Sequence, residues 1–448
     1  MTFGVNDTIN CVNQSSASTD LTSLELLQLT GSGCGIPLLE SIVFSVACDA
    51  SLPTASDNTG RFVYILNTCQ YKFSDGSIWT NDFSSLTSQA YAWGRASLGR
   101  LGDNTTVNKS SPVSVVGGFT DWCQVSAGSE FSLGVRTNGT AWAWGYNNCG
   151  QLGDNTIVNK SSPILVTGGF TDWCQVSAGI TKNSLGVRQN GTAWAWGCNA
   201  YGELGNNSTV SKSSPVTVIG GFTNWCQVSA GGQHSLGVRT NGTAWAWGRG
   251  QYGRLGIDAA GNKSSPVSVV GGFTDWCQIS AGSGQSLAVR QNGTAWAWGY
   301  NAQGQLGDNT TASKSSPVSV VGGYTDWCQV SVNTQHTLGV RTNGTAWAWG
   351  AGGDGRLGDN TTVNKSSPVT VIGGFTDWCQ VSAGYKFSLG ARTNGTAWAW
   401  GYNTCGVLGD NTTVSKSSPV SVVGGFTDWW DISAGSIHSL AIRKSCGF

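Results

Sequence analysis

Histidines, cysteines and a few recurring charged residues are the groups here that could do chemistry, and their spacing restricts what that chemistry is. The chain holds 3 histidines, which could ligate a metal or move a proton. His234, His336 and His438 fall on one position of a tandem repeat, in alternate copies. A metal ion needs its ligands within about 2 Å, and copies two units apart do not converge so closely. No metal site is expected, and these histidines read as face-exposed or turn-satisfying residues. Of 14 cysteines, Cys123, Cys174, Cys226, Cys277, Cys328 and Cys379 each follow a tryptophan at one repeat position, where the seventh copy has Trp430. Replacement by tryptophan fits apolar packing, and equivalent positions in neighbouring copies lie too far apart for disulfide geometry. Cys149, Cys198 and Cys405 sit in divergent loops and Cys446 near the end, while Cys11, Cys34, Cys48 and Cys69 could form two bridges. Asp121, Lys109 and Arg136 recur in most or all copies. An active site needs its acid or base once, so groups copied this often read as ties between loops. No nucleophile elbow, zinc-protease or phosphate-loop motif is present. The chain reads as a non-enzyme without a cofactor.

The elements that position these residues follow from the repeat. Trp-Gly recurs with its glycine at Gly94, Gly145, Gly197, Gly248, Gly299, Gly350 and Gly401, in steps of 51, 52, 51, 51, 51 and 51. A unit reads as four short strands. Trp122 to Ala127 is the first and Ser132 to Arg136 the second; Asn138-Gly139 then makes a hairpin with positive φ expected at both turn positions. Ala141 to Trp144 is the third strand, with both indoles on one pleat face, and Pro163 to Val166 the fourth. Four strands repeated seven times predict a β-propeller. A solenoid would show atypical capping repeats, and none is visible. The last unit ends after two strands at Arg443, and the first Trp-Gly supplies only a third and a fourth strand. Together they make one blade, closing the ring two strands plus two. The predicted fold is all-β: a seven-bladed propeller over 86–448, behind a small, mostly-β N-terminal docking domain over 1–85.

The pattern Trp144-Gly145-Tyr146-Asn147-x-x-Gly150-Gln151-Leu152-Gly153, then Pro163, then Val176-Ser177-Ala178-Gly179, resembles the regulator of chromosome condensation repeat. So does Ala230-Gly231-x-x-His234-Ser235-Leu236 followed by Asn241-Gly242. The resemblance implies a propeller used as a binding scaffold. The namesake's nucleotide-exchange role would need a basic tail and a wedge between blades, which this chain does not match. Other members are secreted bacterial proteins that inhibit enzymes by covering them with one propeller face.

Most of each unit is copied almost unchanged, and divergence concentrates in two windows. One follows Trp-Gly and holds Arg95, Tyr146, Tyr201, Arg249, Tyr252, Tyr300, Asp354 and Tyr402. The other precedes the second strand and holds Glu130, Phe131, Lys182, Asn183, His234, Gln335, His336, Tyr385, Lys386 and His438. In an up-and-down blade both windows emerge on one face, opposite the unvaried Asn-Gly turns. Loops drift more freely than strands, yet the opposite loops have not drifted. The divergent residues are therefore expected to contact a partner, with tyrosine and arginine typical of binding hot spots.

Composition narrows the partner. Lys+Arg and Asp+Glu are both 24, so no basic excess favours nucleic acid. The longest apolar run, Ser41 to Cys48, is too short for membrane insertion. Residues Met1 to Asp7 lack the pattern of a secretory signal. A surface rich in Gly, Ser, Thr and Asn and poor in charge resembles viral fibre or capsid-surface proteins in composition. The expectation is a recognition or structural protein outside the cell or on a virion, such as a phage fibre, tail or capsid-surface component. Its variable face would take a protein or glycan, and its N-terminal domain would hold a neighbouring structural protein or a second copy. A secreted inhibitor is the alternative, with an intracellular guanine-nucleotide exchange factor behind it.

Overall fold

The computed structural model describes residues 86–446 continuously and, before them, the strands Phe44–Val46, Phe62–Ile65, Gln70–Ser74 and Trp79–Thr80. These four form one sheet in chain order, the first pair parallel and the others antiparallel. Ser74 pairs with Trp79 in antiparallel register. Leu21 to Leu29 and the cysteines Cys11, Cys34, Cys48 and Cys69 lie outside the described residues.

From Leu86 onward the chain makes seven four-stranded antiparallel sheets, each in consecutive order from an inner to an outer strand. Blade 1 is Trp122–Ala127, Phe131–Arg136, Ala141–Gly145 and Lys160–Leu165, and blades 2 to 6 repeat it with inner strands beginning at Trp173, Trp225, Trp276, Trp327 and Trp378. Blade 7 joins Trp429–Ala434 and His438–Cys446 to Leu86–Gly94 and Lys109–Ser114. Its seam runs in unbroken antiparallel register from His438 opposite Gly94 to Cys446 opposite Leu86. The two-plus-two closure read from the sequence is the closure found.

The cores lie between blades. At the junction of blades 7 and 1, Ala90, Ala92, Leu101, Leu440 and Ile442 face Trp122, Val125 and Trp144. Alanines on one sheet leave the depth that the next sheet's indole fills, which is how Ala-Trp-Ala-Trp builds both walls of an interface. Trp144 donates its indole N–H to the Arg100 carbonyl across that junction (3.0 Å) and meets Trp122 edge-on. Gly134 lies beneath Trp122; a Cβ there would come within 2.6 Å of the ring. The third-to-fourth-strand loop of each blade covers its neighbour's outer strand, as Asn155 N–H does to the Ser213 carbonyl at 2.8 Å. That contact, with a lysine and a proline in every outer strand, protects an otherwise open sheet edge.

The Asn-Gly hairpins form with a different turn from the one expected. Only the glycine has positive φ, as at Gly139 (74°), while Asn138 keeps negative φ. Arg136 and Thr140 pair across a three-residue loop, and Asn138 Oδ1 accepts from Thr140 N–H and Oγ1–H. An asparagine that caps the next threonine favours a type I turn with a left-handed glycine over a two-residue type I′ turn.

Candidate interaction face

The two divergent windows meet in every blade. Tyr146 N–H donates to the Glu130 carbonyl at 2.9 Å, and the corresponding bond recurs from Arg95, Cys198, Arg249, Tyr300, Ala351 and Tyr402. The copied turns lie at the other end of the strands. There Arg136 Nε donates to Asp121 Oδ1 at 2.7 Å while its guanidinium lies over Phe119, 4.2 Å from the ring centre. This arrangement recurs round the ring, with Asn224 in place of the aspartate opposite Arg239. Lys109 approaches Asp103 at 3.6 Å. The copied charges are loop ties, as expected.

Five of the expected contact residues are not on the face. Phe131, Asn183, His234, His336 and His438 open the second strands and are fully buried between blades. Each histidine Nε2 meets a serine hydroxyl of the next blade at 2.8–3.0 Å: His234 with Ser286, His336 with Ser388, His438 with Ser132. Each serine donates to a backbone carbonyl, leaving its oxygen to accept the Nε2 proton. Nδ1 has no hydrogen-bond partner. Burial, with a neighbouring arginine, holds all three imidazoles well below their ordinary pKa, so they are neutral packing residues.

Those arginines are the feature that reading the copies one at a time misses. Arg100, Arg254 and Arg356 are buried, six residues after Trp-Gly, in the three blades that carry a histidine. The other blades place Gln151, Glu203, Gln305 and Val407 there. Histidine and arginine occur together three times and never apart, a covariation legible by aligning the copies. Glu203 stands where glutamine stands elsewhere and accepts the Tyr201 N–H as Gln151 accepts that of Cys149. Burial raises its carboxyl pKa.

Above this layer the divergent side chains pair across blade boundaries. The Lys182 ammonium lies over Tyr146 (4.9 Å) and the Arg249 guanidinium over Tyr201 (4.6 Å). Tyr252 and Tyr300 meet at 5.0 Å. Lys386 reaches Asp354 at 3.9 Å and lies near both Tyr385 and Tyr402. Cys149 and Cys198, which the sequence places in divergent loops, form a disulfide with Cα atoms 5.2 Å apart. Arg95, Tyr252 and Tyr385 are exposed; Glu130, Tyr146, Lys182, Tyr201, Arg249, Tyr300, Gln335, Asp354, Lys386 and Tyr402 are partly so. The windows and the arginine layer bring Arg95, Arg100, Lys182, Arg249, Arg254, Arg356 and Lys386 to one end of the ring, against Glu130, Glu203 and Asp354. The face is cationic in a chain without net charge.

The ring axis is a cavity of about 140 Å³ lined by the inner strands. Here each glutamine amide acts as a peptide group towards the next blade: Gln124 Oε1 accepts from Val176 N–H (2.8 Å) and its Nε2 donates to the Val176 carbonyl (2.9 Å). Asp431 takes this place in blade 7, accepting from Val125 N–H and Gln380 Nε2. Among the described residues no group of His, Cys, Asp and Glu could hold a metal ion.

A family model described as an RCC1-like domain matches residues 81–338, and the regulator of chromosome condensation (RCC1) repeat matches 343–390 and 394–442. The ultraviolet-B receptor UVR8 of Arabidopsis thaliana is 25% identical over 338 residues, 73% of this chain and 76% of the receptor. The human E3 ubiquitin-protein ligase HERC2 is 27% identical over 371 residues, 79% of this chain; the chain spans only 8% of that ligase. Among solved structures, Prp20p of Saccharomyces cerevisiae, described with its binding to Gsp1p and histones, superposes with a TM-score of 0.70. It covers 80% of this chain and 91% of its own at 18% identity, which shows the fold.

Proposed function

This chain belongs to the RCC1-repeat family, and on that premise we propose that it is a non-enzymatic binding scaffold whose divergent face holds a macromolecular partner. One observation carries the reading: the two windows that diverge among otherwise near-identical copies are hydrogen-bonded to each other at one end of the ring in every blade. The opposite turns, equally loop-like, satisfy their own polar groups and are copied faithfully. Among the relatives, the binding of Prp20p to Gsp1p and histones supports a protein as the first partner to seek, ahead of a glycan. Site function resides in such grafted residues more than in the fold.

The contact set in this reading is Arg95, Tyr252 and Tyr385 with their partly exposed neighbours. Display outside the cell, on a virion or another surface with residues 1–85 as the attachment, extends the same reading. The Cys149–Cys198 bridge supports an oxidising setting, and proteomics of purified particles tests the virion form. For the face itself, Tyr252→Ser with Tyr385→Ser should weaken binding of the captured partner by about tenfold or more, as loss of aromatic anchors does, without changing Tm. Gly139→Ala, whose Cβ would strike the Thr171 carbonyl at 2.1 Å, should lower Tm and leave the folded fraction's affinity intact. Equal loss of affinity in both would refute a face-specific role.

A further inference from the structure

The three buried arginines are an internal comparison, because one scaffold presents the same guanidinium three times. Arg100 is met by the Glu130 carboxylate from the next blade at 3.5 Å. Arg356 is met by Asp354 of its own loop at 3.1 Å. Arg254 is 4% exposed and has neither. The position equivalent to Glu130 is Gly284, and the position equivalent to Asp354 is Tyr252. Its Nε and Nη1 donate to the carbonyls of Gln251 and Ser283, both at 2.9 Å, and it makes no ion pair among the described residues. A buried cation is ordinarily neutralised by a partner. Here burial and a second cation, Arg249, push the guanidinium down to about 10, which still leaves it charged at neutral pH.

The surroundings are built for a visitor. A Cβ at Gly284 would stand 3.1 Å from Tyr300 Cβ and 3.7 Å from Arg254 Nη2, so the glycine leaves open the line along which Glu130 reaches Arg100 in its own blade pair. Arg249, held by Gln233 and Tyr201, also makes no ion pair among the described residues. The titratable neighbours are Tyr201, Tyr252 and Tyr300, with Glu203 buried below and bonded to the Tyr201 N–H, and the neutral His234 in the layer beneath Arg254.

We propose that Arg254 and Arg249, between Tyr252 and Tyr300, form a subsite for a carboxylate of an acidic peptide segment, which supplies the counter-ion that Glu130 and Asp354 supply elsewhere in the ring. The ligand class comes from the scaffold, since a carboxylate occupies both equivalent sites. The inference rests on the reading of this end of the ring as a recognition face. One source of acidic peptide is the chain itself: residues 1–85 hold eight acidic residues and two basic ones, and could serve the face of a second copy.

The test is fluorescence anisotropy of labelled hexaglutamate with the full chain. Binding should weaken with salt and be weakened about tenfold by Arg254→Gln or Arg249→Ala, the loss expected for one charge-assisted hydrogen bond. Both replacements already stand at these positions, as Gln305 and Ala351. Tyr252→Asp, an exposed change that copies the Asp354 arrangement, should abolish binding, and Arg100→Gln should leave it unchanged. Hexaglutamate that does not bind, equal loss in Arg100→Gln and Arg254→Gln, unaltered binding by Tyr252→Asp, or equal displacement by inorganic phosphate would each overturn the proposal. Light scattering separates the sources: self-association lost in Tyr252→Asp identifies a second copy, and a monomer that binds hexaglutamate identifies another protein. The probe assay does not use the captured partner, so its failure leaves the tyrosine experiment standing, and the converse holds.

Discussion

At the scale of residues, the second strands show how a divergent position can belong to the interior. Phe131, Asn183, His234, Gln285, His336, Phe387 and His438 vary like surface residues, yet every one is buried. Sequence divergence picks out one end of the ring but does not separate the outermost side chains from the layer beneath, because the strand begins one residue earlier than its alternation suggests. The histidines make a prediction of their own. Their pKa is well below 6.5 when folded and ordinary when unfolded, so the unfolded chain binds more protons as the pH falls through 6.5. Stability is complete above that value and is lost on acidification, by about 1.4 kcal/mol per pH unit for each histidine. His336→Gln, which copies Gln285, should remove about a third of the histidine-dependent slope between pH 6 and 5. Urea unfolding at several pH values measures it, and a slope unchanged by the substitution would show that the imidazole is not held neutral.

At the scale of elements, strands and turns were legible because each is written seven times. What connects the blades was not. The glutamine ladder joins residues such as Gln124 and Val176, one repeat apart, and nothing in a strand pattern says that a side-chain amide will behave as a peptide group. The Cys149–Cys198 bridge was missed for the same reason: it joins the fourth residue after Trp-Gly in one blade to the first in the next. That pairing rule places Tyr201 on Arg249 and Tyr252 on Tyr300, and it places Cys405 against Arg95. Arg95→Cys should therefore oxidise with Cys405 and tie blade 6 to the N-terminal strands of blade 7. With oxidised glutathione as the electron acceptor, mass spectrometry should show the loss of two hydrogen atoms, with stabilisation of about 2–4 kcal/mol that disappears under reductant. A variant that stays reduced would mean that the sevenfold geometry breaks at that junction.

At the scale of the molecule, net zero charge conceals a division. Residues 1–85 carry eight acidic and two basic side chains, and residues 86–448 carry sixteen and twenty-two. The copied lysines and arginines are largely matched by copied aspartates in loop ties, so the excess resides in the few residues per blade that diverge. The architecture was legible down to the way the ring closes, since a repeat with four strands and half-units at both ends admits few alternatives. The partner was not, since one sequence shows where copies differ and not what they differ towards. The proposed place for that partner is the divergent face. Hydrogen-exchange mass spectrometry of the full chain with and without its captured partner tests this most directly. Protection is expected in the segments holding Arg95, Tyr252, Tyr300 and Tyr385; protection confined to the Asn-Gly turns or the outer strands would contradict it.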